Sequence, residues 1–86
     1  MKKYLEKKAR KYVIASLGNP TLYLKKTAGK SEYSFVEDIE IATKALKESV
    51  MNQVLRYYYL DTGLDTELVV VPIEITYEII DDEYNE

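Results

Sequence analysis

A stretch of alternating apolar residues in the last third of the chain places the strongest constraint on its fold. Residues 66–80 read TELVVVPIEITYEII. Alternation with a period of two, carried largely by β-branched residues, is typical of a strand with one buried face. The sequence therefore predicts a long strand around which a small α+β domain is built. The residues that we expect on its fully buried face are Val69, Val71, Ile73, Ile75, Tyr77 and Ile79.

Pro72 lies in the middle of this predicted strand. Proline has no backbone N–H, so it is found in edge strands or at bulges. An exposed edge with apolar residues has to be covered, twisted away or paired with another subunit. The sequence therefore predicts either an edge strand or a bulge midway along the strand, and an edge strand is also a route to a homodimer.

Three shorter strands are predicted before the long one. Residues 11–17 (KYVIASL), 22–26 (LYLKK) and 32–36 (EYSFV) are rich in aliphatic and aromatic residues. Residues 18–21 and 27–31 between them contain Gly, Asn, Pro and Ser, which favour turns. Because both connections are short, we expect a three-stranded antiparallel meander.

One principal helix is predicted between the meander and the long strand. Apolar residues recur there every three to four positions, which is the period of an amphipathic helix. We expect a regular helix over residues 46–60, a shorter helical turn before it that Asp38 caps, and a left-handed Gly63 after it. The residues expected to face the sheet are Ile39, Ala42, Leu46, Val50, Val54 and Tyr57 or Tyr58.

The predicted fold class is therefore α+β. The element order is β-β-β-α-β, with a small antiparallel sheet that carries the helix on one face. A chain of 86 residues has room for one hydrophobic core. We expect a basic N-terminal arm or short helix over residues 1–10, a single α+β domain over residues 11–80 and an acidic tail over residues 81–86.

The residue types that are missing exclude several chemistries. The chain has neither cysteine nor histidine, which excludes disulfides, thiolate zinc sites and imidazole general bases. The stretch Gly29-Lys30-Ser31 lacks the upstream glycine and the strand-to-helix context of a phosphate-binding loop. We therefore expect a protein that is not an enzyme and has no catalytic residue, metal site or cofactor. Because neither a signal peptide nor a run of about 18 apolar residues is present, we expect a cytoplasmic protein outside the membrane.

Charge is distributed unevenly along the chain. Residues 1–30 contain nine Lys and Arg and one acid, whereas residues 31–86 contain three Lys and Arg and fourteen acids. The two halves either neutralise each other across the sheet or present separate patches to partners. A basic patch would suit a nucleic acid, whose phosphates attract lysine and arginine. The candidate basic residues are Lys2, Lys3, Lys7, Lys8, Arg10, Lys11, Lys25 and Lys26.

The chain contains nine tyrosines, and three of them are consecutive. Successive side chains on a helix point about 100° apart, so one or two of the three pack on the sheet and at least one is exposed. Tyrosine anchors protein interfaces at a low cost in conformational entropy. The predicted protein-interaction surface consists of Tyr57, Tyr58, Tyr59, Asp61, Asp65 and Glu67.

Several stretches resemble small uncharacterised proteins that phages and prophages of Gram-positive bacteria encode. These stretches are residues 11–14 (KYVI), 23–26 (YLKK), 33–42 (YSFVEDIEIA), 57–59 (YYY) and 68–77 (LVVVPIEITY). The resemblance covers residues 11–80 and includes no catalytic motif. It implies a cytoplasmic accessory protein that is made in an infected host.

Two hypotheses for the function follow. The first is a small protein-binding module that engages a host or phage protein, for example as an inhibitor of a host nuclease or defence system. Acidic surfaces can imitate the phosphates of DNA and occupy basic clefts. The second is a nucleic-acid-binding accessory protein that uses the basic N-terminal third, whose binding would weaken steeply with salt.

Overall fold

The computed structural model describes residues 2–81, with side chains described for residues 7–78. It is a small α+β fold with a four-stranded antiparallel sheet and one α-helix, which confirms the predicted fold class. The strands are β1 (Lys2–Ser16), β2 (Leu22–Lys26), β3 (Tyr33–Val36) and β4 (Val69–Asp81). A 3-10 turn (Ile39–Ile41) and the helix α1 (Glu48–Thr62) lie between β3 and β4.

The strand order in the sheet is β3-β2-β1-β4. The first three strands form the predicted meander, and β2 has the predicted bounds. The last strand returns to pair with β1, from Ala15 opposite Val69 to Lys2 opposite Asp81. β4 therefore lies at an edge of the sheet, which confirms the expectation from Pro72.

β1 and β4 form a two-stranded ribbon that extends well beyond the other strands. They contain 15 and 13 residues, whereas β2 and β3 contain 5 and 4. At roughly 3.3 Å per residue the ribbon accounts for most of the length of the molecule, whose Cα trace measures 57 × 26 × 21 Å. The register shifts once, between Lys3 and Leu5.

The ribbon corrects two predicted boundaries. Residues 2–10 were expected to be an arm or a short helix, but they continue β1, because the long alternating strand β4 supplies hydrogen-bond partners along their whole length. Asp81, which was expected in the acidic tail, is the last residue of β4. The remainder of the predicted tail, residues 82–86, lies outside the described residues.

The chain crosses the sheet through a gap between β1 and β2. These strands pair only at Ala15 and Ser16 and then diverge. Residues 43–45 occupy the gap: the N–H and C=O of Ala45 bond Tyr12 at 3.1 and 2.8 Å, and the N–H of Thr43 bonds the C=O of Leu24 at 3.1 Å. The gap lets the 3-10 turn border one face of the sheet while α1 covers the other.

The core lies between α1 and the sheet. Its fully buried members are Ile14, Leu24, Met51, Tyr58 and Leu68. On the helix, Met51, Val54, Leu55 and Tyr58 point toward this core. Of the positions expected to face the sheet, Val54 and Tyr58 do so, whereas Leu46 and Val50 are exposed at 72% and 46%. Tyr57, the alternative to Tyr58, is exposed at 45%. The helix carries two apolar stripes, and the predicted set contains members of both.

Two predicted caps are confirmed, although α1 spans Glu48–Thr62 rather than the predicted residues 46–60. A side-chain oxygen of Asp38 accepts a hydrogen bond from the N–H of Glu40 at 2.9 Å and caps the 3-10 turn. After α1, Gly63 adopts a left-handed conformation with φ of 69°. Its N–H bonds the C=O of Tyr59 at 2.9 Å. Glycine favours this position because a Cβ would be strained at positive φ.

The apolar alternation of β4 is less buried than predicted. Val69, Val71, Ile73 and Ile75 are each partly buried, and Tyr77 is exposed, so none of the described residues on the expected face is fully buried. The helix lies over the opposite face, where Leu68 precedes the strand and Val70 packs on the core. Ile79 has no described side chain.

Candidate protein-interaction surface

The three consecutive tyrosines have three different environments. Tyr58 is 2% exposed and belongs to the core rather than to the predicted contact surface. Its ring makes edge-to-face contacts with Tyr33, Phe35 and Tyr59, with centroids 5.3, 5.9 and 5.6 Å apart. Such pairs add to the stabilisation from burial. This cluster fixes the rotation of α1 against β3 and thereby decides which helix face is exposed.

Tyr33 and Tyr59 anchor the C-terminal end of the helix. The phenol of Tyr33 donates a hydrogen bond of 2.6 Å to Oδ2 of Asp61, and the phenol of Tyr59 donates one of 2.8 Å to the C=O of Thr66. Burial of the Tyr33 phenol, followed by the hydrogen bond to Asp61 and its negative charge, raises the pKa of Tyr33 to about 12. Asp61 therefore has a structural role in addition to any contact with a partner.

An exposed apolar stripe runs along the outer side of α1. Val50, Tyr57 and Leu60 are separated by seven and three residues, so they lie on one side of a helix with 3.6 residues per turn. Gln53 lies between them, and its Nε2 donates a hydrogen bond of 3.0 Å to the Tyr57 phenol. Leu46 precedes the helix and Leu64 follows it, and both are also exposed. We call Val50, Tyr57 and Leu60 the helix stripe.

The helix stripe borders a depression and a group of acids. The depression has a volume of about 340 Å³ and is lined by Asn52, Leu55, Arg56, Tyr59 and Leu60. It brings the partly buried Tyr59 next to the stripe. Asp61, Asp65 and Glu67 are all exposed near the end of the helix and in the connection to β4. Of the predicted surface residues, the structure thus keeps all but Tyr58 accessible.

The basic residues are distributed over both faces of the ribbon. Lys7, Lys8 and Arg10 are exposed and Lys11 is partly buried, and consecutive side chains of a strand point to opposite faces. The Nζ of Lys8 is 3.9 Å from Oε1 of Glu74. The side chains of Lys2 and Lys3 lie outside the described ones.

The two basic residues of β2 lie apart from the Lys8–Glu74 pair. Lys25 is exposed, whereas Lys26 is partly buried and its backbone N–H bonds Oγ1 of Thr43 at 2.7 Å. The exposed Glu74 lies away from these lysines, because β4 pairs with β1 and residues 43–45 separate β1 from β2.

A second concave region lies on the face of the ribbon away from the helix. It has a volume of about 520 Å³ between Ile39 and the partly buried Ile73 and Ile75, with Lys11 and Tyr77 at its rim. The ammonium of Lys44, which also borders it, donates hydrogen bonds to the C=O groups of Glu40 and Ala42 at 2.7 and 3.2 Å. The region has an apolar floor of isoleucines, and the charged residues Lys11, Glu40, Lys44 and Glu74 also line it.

The described residues contain neither a metal-binding cluster nor a membrane-spanning helix. No group of three or more metal-ligating side chains is arranged to hold a metal ion there. In the same part of the chain, no helix combines the length and the apolar character that crossing a membrane requires.

Comparisons with known proteins give no match for this chain. No protein-family model, no curated protein and no solved structure matches it.

The sequence prediction missed Val50 and Leu60 as surface residues. Val50 was placed in the core, and Leu60 was treated only as the end of the helix. The signal that could have found them is the second apolar stripe of α1, because two stripes on one helix exceed what a single sheet can cover. An unassigned stripe on a short amphipathic helix is a candidate contact surface.

Proposed function

We propose that this chain is a non-enzymatic protein-binding module that contacts its partner through the helix stripe. The observation that carries the proposal is the grouping of exposed apolar side chains on α1. Among the described side chains, residues 7–78, eight large apolar residues are exposed, and five of them lie on α1 or at its ends: Leu46, Val50, Tyr57, Leu60 and Leu64. Single exposed apolar residues are ordinary, but a continuous row of them marks a contact site.

The stripe has the composition and the rigidity of an interface. Tyr57 is held by Gln53, so little side-chain freedom is lost when a partner covers its ring. Leu60 projects beside the 340 Å³ depression, into which an apolar anchor of the partner can insert. Asp61, Asp65 and Glu67 form an acidic rim that suits a partner with lysine or arginine around an apolar contact.

The identity of the partner is a finer proposal that rests on the sequence resemblance. We propose a protein of the bacterial host or of the phage, met in the cytoplasm. A host nuclease or defence protein fits this description, because its nucleic-acid cleft would present basic side chains to the acidic rim.

The test is affinity capture from host lysate with a matched pair of variants. Leu60→Asp places a charge in the helix stripe, where the wild-type side chain is 72% exposed. Leu17→Asp makes the same change at a position that is 67% exposed, in the turn after β1. Capture would be read by quantitative mass spectrometry after nuclease treatment, with thermal unfolding as the check on folding.

The proposal predicts that wild type and Leu17→Asp capture the same protein, and that Leu60→Asp loses it by at least about tenfold. If both variants retain it equally, the helix stripe is not the contact surface. If capture by the wild type itself disappears with nuclease, the protein-binding proposal fails.

A nucleic-acid-binding role is the second candidate, and the shape of the ribbon favours it. A two-stranded ribbon can enter the major groove of DNA, and six of the seven charged residues in β1 are Lys or Arg. Glu74 and Glu78 on the adjacent strand oppose such binding. Fluorescence anisotropy with a DNA duplex tests it: binding should weaken steeply with salt and should weaken in Lys8→Gln and Arg10→Gln, but not in Lys47→Gln.

A further inference from the structure

The ribbon has a distal part in which both outer edges lack a partner strand. Along β1 from Ser16 toward Lys2, Tyr12 is the last residue whose outward-facing backbone groups are bonded, because its N–H and C=O both bond Ala45. Over the described residues before Tyr12, β1 pairs with β4 alone. We call residues 2–11 of β1 and 73–81 of β4 the distal ribbon.

Pro72 occupies the equivalent position on the other edge. It is directly opposite Tyr12. In an antiparallel pair, the N–H and C=O of successive residues point alternately toward and away from the neighbour. Since the polar groups of Tyr12 point away from β4, this pair is of the non-hydrogen-bonded type, and the proline nitrogen faces the outer edge of β4. The absence of an N–H group at Pro72 therefore removes no hydrogen bond between β4 and β1.

Tyr12 and Pro72 thus mark the same level of the ribbon on its two edges. Beyond this level the N–H groups of Lys8 and Arg10 point outward from β1, and those of Glu74 and Thr76 point outward from β4. The two distal edges are also similar in length, because they end together where Lys2 is opposite Asp81.

The two distal edges carry opposite charge. The distal part of β1 contains six Lys and Arg and one acid, whereas the distal part of β4 contains Glu74, Glu78 and Asp81 and no basic residue. The ion pair between Lys8 and Glu74 within one ribbon is long and exposed, so it contributes little to stability. Both side chains can therefore also contact charges on another copy.

We propose that a second copy of this chain adds to the sheet at this place, with the β1 edge of one distal ribbon pairing with the β4 edge of the other. Main-chain hydrogen bonds would supply affinity, and the basic-on-acidic contact would select this pairing over two alternatives. Pairing β1 with β1 would place like charges side by side, and so would pairing β4 with β4.

The rest of the fold decides how the copies are oriented. If both ribbons pointed the same way in register, the start of β4 in one copy would overlap β2 and residues 43–45 of the other. The copies therefore point in opposite directions, with β1 and the added β4 parallel. Because the contact joins two different edges, each added copy leaves one edge of each kind exposed, and the association continues beyond a dimer.

The experiment uses two variants that each close one edge. Lys8→Pro removes an outward N–H from β1, and Thr76→Pro removes one from β4. Proline is tolerated where the N–H of an edge strand faces outward, as it is at Pro72. Sedimentation velocity of each variant, of their mixture and of the wild type would be measured over a range of protein concentrations at low and high salt.

The proposal predicts concentration-dependent association of the wild type that weakens at least about tenfold at high salt. Each variant alone should be monomeric, and their equimolar mixture should form a one-to-one dimer that grows no further. A wild type that stays monomeric overturns the proposal. Self-association of either variant alone also overturns it, because it would mean that like edges pair.

Charge-reversal variants keep the test decisive if a proline variant does not fold. Glu74→Lys should weaken self-association, and so should the double variant Lys8→Glu and Arg10→Glu. A mixture of these two variants should regain association, because both contacts between unlike copies are complementary: the unchanged β1 edge meets the unchanged β4 edge, and the two reversed edges meet each other. Unchanged association of both variants would contradict the charge argument.

The helix stripe is absent from this contact, so Leu60→Asp serves as the control that should still self-associate.

Discussion

Tyr33 donates a hydrogen bond of 2.6 Å to Asp61 and thereby joins β3 to the last turn of α1. Removing the donor with Tyr33→Phe should lower the free energy of unfolding by about 1 kcal/mol, the usual net value of such a bond. Asp61→Asn retains an acceptor and should cost less. Urea denaturation followed by circular dichroism measures both. A Tyr33→Phe variant as stable as the wild type would show that the bond makes no net contribution.

The raised pKa of Tyr33 gives this bond a pH dependence. The pKa of about 12 in the folded state is above the ordinary tyrosine value of 10.0, so the folded state holds the proton more tightly. The stabilisation is therefore complete below pH 10 and is lost as the pH rises from 10 to 12. The free energy of unfolding should fall across this interval, and less steeply in Tyr33→Phe. Equal slopes would contradict the assignment.

Tyr57 and Tyr58 are neighbours in sequence, but they should respond very differently to truncation. Tyr58→Ala removes a fully buried ring with three aromatic neighbours and should cost about 3–5 kcal/mol of stability. Tyr57→Ala removes an exposed ring and should cost less than about 1 kcal/mol. Thermal and urea unfolding of the two variants provide the comparison. Similar losses would mean that the rotation of α1 differs from the one described.

Gly63 should be more sensitive than Gly18 to substitution by alanine. Its φ of 69° lies in the left-handed region, so Gly63→Ala should lower stability by about 1 kcal/mol. Gly18 has no positive φ, and its nearest neighbour to an added Cβ is the C=O of Pro20 at an ordinary 3.7 Å. Gly18→Ala should therefore change stability by less than about 0.5 kcal/mol. The reverse order in denaturation experiments would contradict the capping role of Gly63.

Pro72 should limit how far a second copy can extend along β4. Replacing it by threonine restores an outward N–H without changing any bond to β1. Pro72→Thr should strengthen self-association at least about tenfold, as read by sedimentation velocity, while the stability of the monomer changes little. Unaltered association would show that the added strand does not reach this position.

Local sequence signals predicted the elements that local chemistry controls. The bounds of β2, the cap by Asp38 and the left-handed Gly63 were all correct. Each depends on a few adjacent residues, because turn and cap preferences arise from the backbone and side chain of the residue itself. The α+β class followed from the alternation of β4 and the three-to-four spacing of α1.

Long-range pairing produced the errors. Residues 2–10 look like a charged arm, since five Lys and Arg with few apolar neighbours give no strand signal. They form a strand because β4 lies beside them, and hydrogen bonds between strands do not depend on side-chain polarity. The candidate surface was predicted only in part, because packing between the helix and the sheet is also long-range. The sequence identified Tyr57 and the acids as surface residues, but it did not identify Leu60 and Val50.

The sequence by itself determined the order of the strands and the helix, the turns between them, the absence of cysteine and histidine, and the separation of positive and negative charge. The tertiary structure alone decided that β4 pairs with β1, which places the two charges on opposite edges of one ribbon. It also decided which of two apolar stripes on α1 is buried, through the contacts of Tyr58 with Tyr33 and Phe35. Periodicity identifies a face that can be buried, but only the shape of the opposing sheet selects between two such faces.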